Sequence, residues 1–390
     1  MSDEASLAAL RMIASEEILQ NKQLLDQIGF TERLSITDSP DEALLEHAVG
    51  RIFSLLPLEI ADTYMRLGQA GQNGRGAHHS STLVSLSVFM ANSTSGGRYL
   101  AAIVEGVGVH VTESESDPLV LWQFDEIANH LNQDSQLGAW RREFHGDVPC
   151  VNVYSGAACN IRDNIDNWAE LVAHLLLIAQ AYIEHGTGAA ESAIRVRDVL
   201  GYGSDTFTRQ GVIDAALAFK ASLIPELQQV THVTSGSSGV VVTVPFRVGD
   251  TTKALNIGAW LVTKTDSSNR VDIAITGHLY TTLPWEDAMR WAAMLNEASV
   301  SGRDAEEGAS WVETTPWMLG RWYALRTAGP EHPVMFSGRV HAALYNVVDI
   351  EAVIRGSIRE VWAASDRYRL EQEFDAAVSG ITLGDVDGDV

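Results

Sequence analysis

Histidines, cysteines and carboxylates are the side chains here that could do chemistry, and spacing decides what each group can offer. His78 and His79 follow Gly68, Gly71, Gly74 and Gly76. A glycine-rich phosphate loop needs a strand before it and a helix after it. The order here reads helix then strand, so 68–80 is expected to be a flexible loop. Neighbouring histidines make no metal site without further ligands at suitable spacing. Cys150 follows His145 by five residues, which sets no geometry for a nucleophile and its base. Asp385, Asp387 and Asp389 flank Gly388 like the start of a calcium loop. Such a loop needs a glutamate at its twelfth position, which the sequence does not supply. His110, His174 and His185 are scattered. No G-x-S-x-G, C-x-x-C or metalloprotease His-Glu spacing occurs. The expectation is no catalytic residue, no metal and no cofactor.

Composition narrows the classes further. The net charge of −24 over 390 residues argues against a nucleic-acid surface, because phosphate rewards Lys and Arg. It argues equally against docking on anionic lipid. No apolar run approaches the roughly 18 residues of a membrane span. The start, MSDEASLAALRMIASEE, is acidic and lacks the basic start of a signal peptide. Two cysteines without a paired spacing suit reduced thiols in a cytoplasmic protein.

The elements that must position any site follow from periodicity. Residues 4–28 carry an irregular helical stripe. A helix from 41 to 56 buries Leu45, Val49, Ile52 and Phe53. Val84, Leu86, Val88 and Met90 alternate as a strand. Strands are also expected at 99–104 and 107–111, split by Gly106, with a helix over 124–132. Strands around 141–144 and 150–154 precede a turn at Ser155-Gly156. Asp166 is placed to cap a helix carrying Trp168, Leu171, Val172 and Leu175. The same programme follows from 211: a helix, strands at 240–248, 253–263 and 271–275, and a helix opened by Pro284. Two more strands and a last helix capped by Asp349 complete it.

Four landmarks recur in order. Ser54-Leu55-Leu56-Pro57 matches Ser222-Leu223-Ile224-Pro225. Leu131-Asn132 matches Leu295-Asn296. Leu137-Gly138-Ala139-Trp140 matches Leu319-Gly320-Arg321-Trp322, and Ser155-Gly156 matches Ser337-Gly338. Repeats of this kind mark duplicated units. The reading is an α+β chain of two tandem α-β-β-β-α-β-β-α domains, each an antiparallel sheet packed with helices. An N-terminal helical extension covers 1–40, the first domain 41–185, a connector 186–210, the second domain 211–370, and an acidic tail 371–390. The insertion between Asn296 and Leu319 reads as a surface loop. Trp140 and Trp322 read as core anchors. Leu-Asn reads as a helix end, where Asn tolerates left-handed geometry. Trp285 and Trp291 lie on different parts of one helix, so one of them is expected to face a partner.

This order of elements and motifs resembles the type III secretion chaperone-like fold shared by the YbjN-related proteins, here as two copies in one chain. The resemblance implies small acidic modules that hold extended segments of partner proteins without catalysis, and two halves packed as a built-in pseudo-dimer. It carries no ligand-contacting residue with it. The expected function is therefore non-enzymatic binding of a protein or extended peptide. A structural or assembly subunit and an enzyme of unrecognised type are the alternatives.

Overall fold

The computed structural model describes residues 33–37, 40–57, 61, 69–70, 76–80, 84–93, 96–110, 118–134, 139–145, 148–162, 164–185, 206–248, 251–263, 271–300, 302–303, 310–313, 320–340, 349–362 and 364–365. The stripe at 4–28, the connector over 186–205 and the tail at 371–390 lie outside these, as does Gly138. The chain is α+β, with two antiparallel sheets. No helix among the described residues is long and apolar enough to cross a membrane.

Helix α1 (Glu42–Ser54) starts where the Asp41 carboxylate accepts the Leu44 N–H at 3.1 Å. Its inner face buries Leu45, Ala48, Val49, Ile52 and Phe53. Helix α2 spans Pro118–Asp134 and α3 Ile165–His185. The α3 cap is Asn164, whose side chain accepts the N–H groups of Asp166 and Asn167. Asp166 itself pairs with Arg51 at 2.7 Å. Helices α4 (Arg209–Ser222), α5 (Pro225–Val230) and α6 (Trp285–Val300) follow. A last helix, α7, covers 350–362 and is capped by Asp349, which accepts the Glu351 N–H at 2.9 Å.

The first sheet holds β1 (Arg33–Ile36), β2 (Gln69–Ala70), β3 (Gly76–Ser80), β4 (Val84–Ser93), β5 (Arg98–His110), β6 (Ala139–His145) and β7 (Val148–Asn160). It also takes β12 (Gly302–Arg303) and β13 (Ser310–Glu313). Its order is β12-β13-β1-β4-β5-β7-β6, with β3 also on β4 and β2 on β3. The second sheet holds β8 (His232–Ser235), β9 (Gly239–Val248), β10 (Thr251–Thr263), β11 (Val271–Leu283), β14 (Gly320–Ala324) and β15 (His332–Val340). Its order is β14-β15-β11-β10-β9-β8.

Several expectations are corrected. Residues 33–36 form a strand rather than part of a helical extension, because β4 offers an open ladder at Ala91–Ser93. Gly106 does not split two strands. It sits inside β5, whose irregularity falls between Val107 and Val109. The missing strand is β3, in the stretch that reads as a loop: Gly76–Ser80 pairs with Ser85–Phe89. The insertion after Asn296 contributes β12 and β13, and β13 pairs with β1. Ser155-Gly156 and Ser337-Gly338 lie within β7 and β15 rather than in turns. Trp140 pairs with Val153 and Trp322 with Phe336, which sets Ser155 level with Gly338 and leaves that landmark one residue out of register.

Two glycines without a sequence signature do align. Gly106 lies opposite Val153 and Gly277 opposite Phe336. A Cβ on Gly106 would stand 3.1 Å from Ile183 of α3, and one on Gly277 would stand 2.9 Å from Val361 of α7. In each sheet the last helix presses onto a bare backbone position. The buried core runs continuously through both sheets, with Trp168, Trp322 and Trp362 among its largest members. Removing the Trp322 ring, which is 0% exposed, empties a site walled by Phe336 at 5.3 Å between ring centroids. Trp322→Ala should lose about 3–5 kcal/mol in urea unfolding, and an unchanged midpoint would place the ring outside the core.

Candidate protein-binding cleft

The duplicated Leu-Asn and Trp landmarks meet in space. The Asn132 side chain accepts the Trp140 N–H and donates to the Trp140 carbonyl, both at 2.8 Å. Asn296 does the same for Trp322, at 2.7 and 2.8 Å. An asparagine amide carries one acceptor and two donor hydrogens, so it can replace a neighbouring strand. Asn132 and Asn296 are 2% and 1% exposed. Both lie inside their helices rather than at left-handed ends, because the amide must project sideways from the helix to reach the strand. Leu295 is buried beside Asn296, Leu131 is half-buried, and Gly320 begins β14 opposite Gly338.

A third asparagine ties α2 to the second sheet. Asn129, one turn before Asn132, accepts the Ala324 N–H at 2.7 Å and donates to the Ala324 carbonyl at 3.2 Å. Gln133 adds a second donor to that carbonyl at 3.2 Å, and the Arg321 guanidinium donates to the Asn132 carbonyl at 2.6 Å. The outward groups of Trp322 and Ala324 on edge strand β14 are thus held by α6 and α2.

Beside this junction lies an open cleft of ≈ 650 Å³. Gln123, Glu126, Ile127 and His130 line one wall, at the i, i+3, i+4, i+7 spacing of one helical face. The other wall is Trp285 at the start of α6 and Arg326 just after β14. The Arg326 guanidinium carbon sits 5.0 Å from the Trp285 ring centre, and His332 meets that ring edge-on at 5.3 Å. The turn that presents Arg326 is braced: the Thr327 N–H donates to His332 Nδ1 at 3.0 Å, and the Thr327 hydroxyl donates to the Glu331 carbonyl at 2.7 Å. Arg326 also faces Glu126 at 3.9 Å, with side chains 69% and 37% exposed. So exposed a pair contributes little, about 0–1 kcal/mol. The Trp285 indole N–H is buried with no acceptor among the described residues. Ile127 is an exposed apolar side chain of the cleft and Leu131 a half-buried one.

Of the two tryptophans expected to serve a partner, Trp285 lines the cleft and Trp291 does not. Trp291 is 8% exposed and belongs to the core. Helix α6 packs against α2 and β6 as well as against β14 and β15, so two of its flanks are covered. The four-residue landmarks with Pro57 and Pro225 serve helix ends. Ser54 and Ser222 each donate a hydroxyl back to the carbonyl three residues earlier, at 2.7 Å. Pro225 opens α5, and the Pro57 carbonyl accepts the Ala61 N–H at 2.9 Å.

The reactive candidates do not assemble. Cys150 and Cys159 form no disulfide and lie near opposite ends of β7, about 30 Å apart at strand rise. The residue across from Cys150 on β6 is Glu143, while His145 pairs with Val148 at the turn. No group of three metal-ligating side chains occurs among the described residues. On the far face of the first sheet, Glu105 accepts from the Tyr154 hydroxyl at 2.7 Å and from Asn152 at 3.0 Å. That carboxylate is engaged within the fold. Asp125 on α2 is the titrating group of the junction. Burial raises its carboxyl above the ordinary value, and Arg142, at 3.4 Å, and Arg290 offset only part of that.

Two outcomes follow. Asn296→Ala strands the Trp322 N–H and carbonyl in the core, at about 1–3 kcal/mol for each buried unsatisfied group. Asn296→Asp restores the acceptor alone, so it should unfold between wild type and Asn296→Ala in urea; equal midpoints for all three would refute the clamp. For Asp125, the folded carboxyl holds its proton more tightly than the unfolded one. Stability from this group is therefore full below the unfolded value and lost as pH rises through the folded one. Asp125→Asn should gain on wild type between pH 4 and pH 7, and a constant difference across that range would contradict the burial of this carboxylate.

Comparison of the chain with family models, curated proteins and solved structures finds no match.

Proposed function

We propose that this protein is a non-enzymatic adaptor or chaperone-like protein that holds a segment of a partner protein in the cleft between α2, the start of α6 and the turn after β14. The observation that carries this is the cleft itself. An aromatic ring, the exposed Ile127, the half-buried Leu131 and a few unsatisfied or loosely paired polar groups converge there, the usual make-up of a recognition site.

The reading takes the chain as two tandem α-β-β-β-α-β-β-α units, over 41–185 and 211–370, packed as a pseudo-dimer in the manner of the type III secretion chaperone-like and YbjN-related proteins. It is supported by the shared strand pattern β3-β4-β5-β7-β6 and β9-β10-β11-β15-β14. The matching Asn–Trp clamps and the matching glycines at 106 and 277 support it too. The mode of binding is a segment seated in the cleft rather than a strand added to β6 or β14. The groups on those edges at Trp140, Trp322 and Ala324 already have asparagine partners, and strand addition requires free ones. The partner is a protein or extended peptide, not nucleic acid or membrane, and the reading places the protein in the cytoplasm.

A photo-crosslinking residue at Ile127, 37% exposed in the cleft, should capture a discrete polypeptide in the native host. The same residue at Leu217, 49% exposed on α4, should not. Equal labelling from both positions, or none from Ile127, would count against the cleft.

A further inference from the structure

Building on the adaptor reading, we infer that the cleft selects a basic side chain, an arginine or lysine presented among apolar residues of the partner, and that Arg326 is an internal stand-in for it. Arg326 already makes the two contacts that such a residue would make. Its guanidinium lies over the Trp285 ring at 5.0 Å, and it faces Glu126 at 3.9 Å. A cation over an indole face is held by the ring quadrupole, and more firmly when water is excluded. Arg326 is poorly placed to benefit. Its side chain is 69% exposed, and the ion pair sits at the limit of contact. An arriving cation can lie against Trp285 and Glu126 while its apolar neighbours cover Ile127, which stands 37% exposed. Arg326 then swings outward at little expense, since the ion pair and the ring contact it leaves are both made by a largely exposed side chain.

The charge of the chain points the same way. With a net charge of −24, the protein attracts a basic segment and repels an acidic one over distances set by ionic strength. The first turn of α6, beside the cleft, adds Glu286 and Asp287. The opposite assignment, in which Arg326 receives a carboxylate, would bring an acidic ligand to Glu126, Glu286 and Asp287.

The test uses the full chain and three labelled amphipathic peptides with the same apolar face, whose polar positions are Arg, Gln or Glu. Binding is read by fluorescence anisotropy at about 150 mM salt, where long-range attraction is largely screened. The Arg peptide should bind tightest. Trp285→Leu keeps the apolar bulk and the net charge, and should weaken that peptide roughly fivefold to tenfold. Glu126→Gln should weaken it roughly threefold, and Arg326→Ala should tighten it by a similar factor. The sign for Arg326 is decisive. If Arg326→Ala weakens binding, or the Glu peptide binds best, Arg326 is an anion receptor and this inference fails while the adaptor reading stands. Equal affinity of Trp285→Leu for the Arg peptide would show attraction to charge alone and also refute it. If the Ile127 crosslinker captures a polypeptide while the three peptides bind alike, this inference falls by itself. No crosslink and no bound peptide would remove both readings.

Discussion

The side chain of a buried asparagine, paired with the backbone of a tryptophan across it, is the contact on which the architecture rests. An edge strand carries N–H and carbonyl groups that need partners once they are shielded from water. At Trp140 and Trp322 those groups are met by Asn132 and Asn296. The amide does three things at once. It satisfies the strand, it fixes the rotation of the helix above the sheet, and it holds the tryptophan ring in the core. Leu or Ala at either position would leave two buried backbone groups without partners. That is why these polar residues sit among apolar ones.

The same device joins α2 to the second sheet. Asn129 repeats on Ala324 what Asn132 does on Trp140, so α2 clamps both its own sheet and the neighbouring one. Arg321 returns the contact by donating to the Asn132 carbonyl. Hydrogen bonds of this kind are directional, unlike apolar contact, and they orient α2 against the second sheet. The cleft is a consequence. Where α2 runs past the end of β14, the walls separate, and Trp285 and Arg326 are left facing an outer face of α2. Loose ion pairing and an exposed cation there contrast with the closed hydrogen bonding a few residues away.

Much of this was legible in the sequence because it depends on local period. The stripes of Leu45, Val49 and Ile52, of Trp168, Leu171 and Val172, and of Val353, Ile354 and Val361 mark helices that bury one face. The alternation at Val240, Val242 and Val244 marks β9. Strands failed where period was absent. Gly76–Ser80 has no apolar alternation and is a strand only because β4 pairs with it. Which of Trp285 and Trp291 is enclosed was not legible from spacing, because it depends on α6 being covered on two flanks. The asparagine clamps carried a signal, the repeated Leu-Asn ahead of Leu-Gly-x-Trp, but the signal gave order and not contact.

By itself the sequence determined the α+β class, the long helices among the described residues, the recurrence of landmarks and the acidic charge, since propensity, periodicity and composition act over short stretches of chain. Only the tertiary structure decided that Asn129 reaches Ala324 from 195 residues away, that Trp285 borders a cleft while Trp291 is enclosed, and that Arg326 lies over an indole ring. Those contacts join groups far apart along the chain. Their formation depends on which surfaces the packed core brings together, which no local pattern encodes.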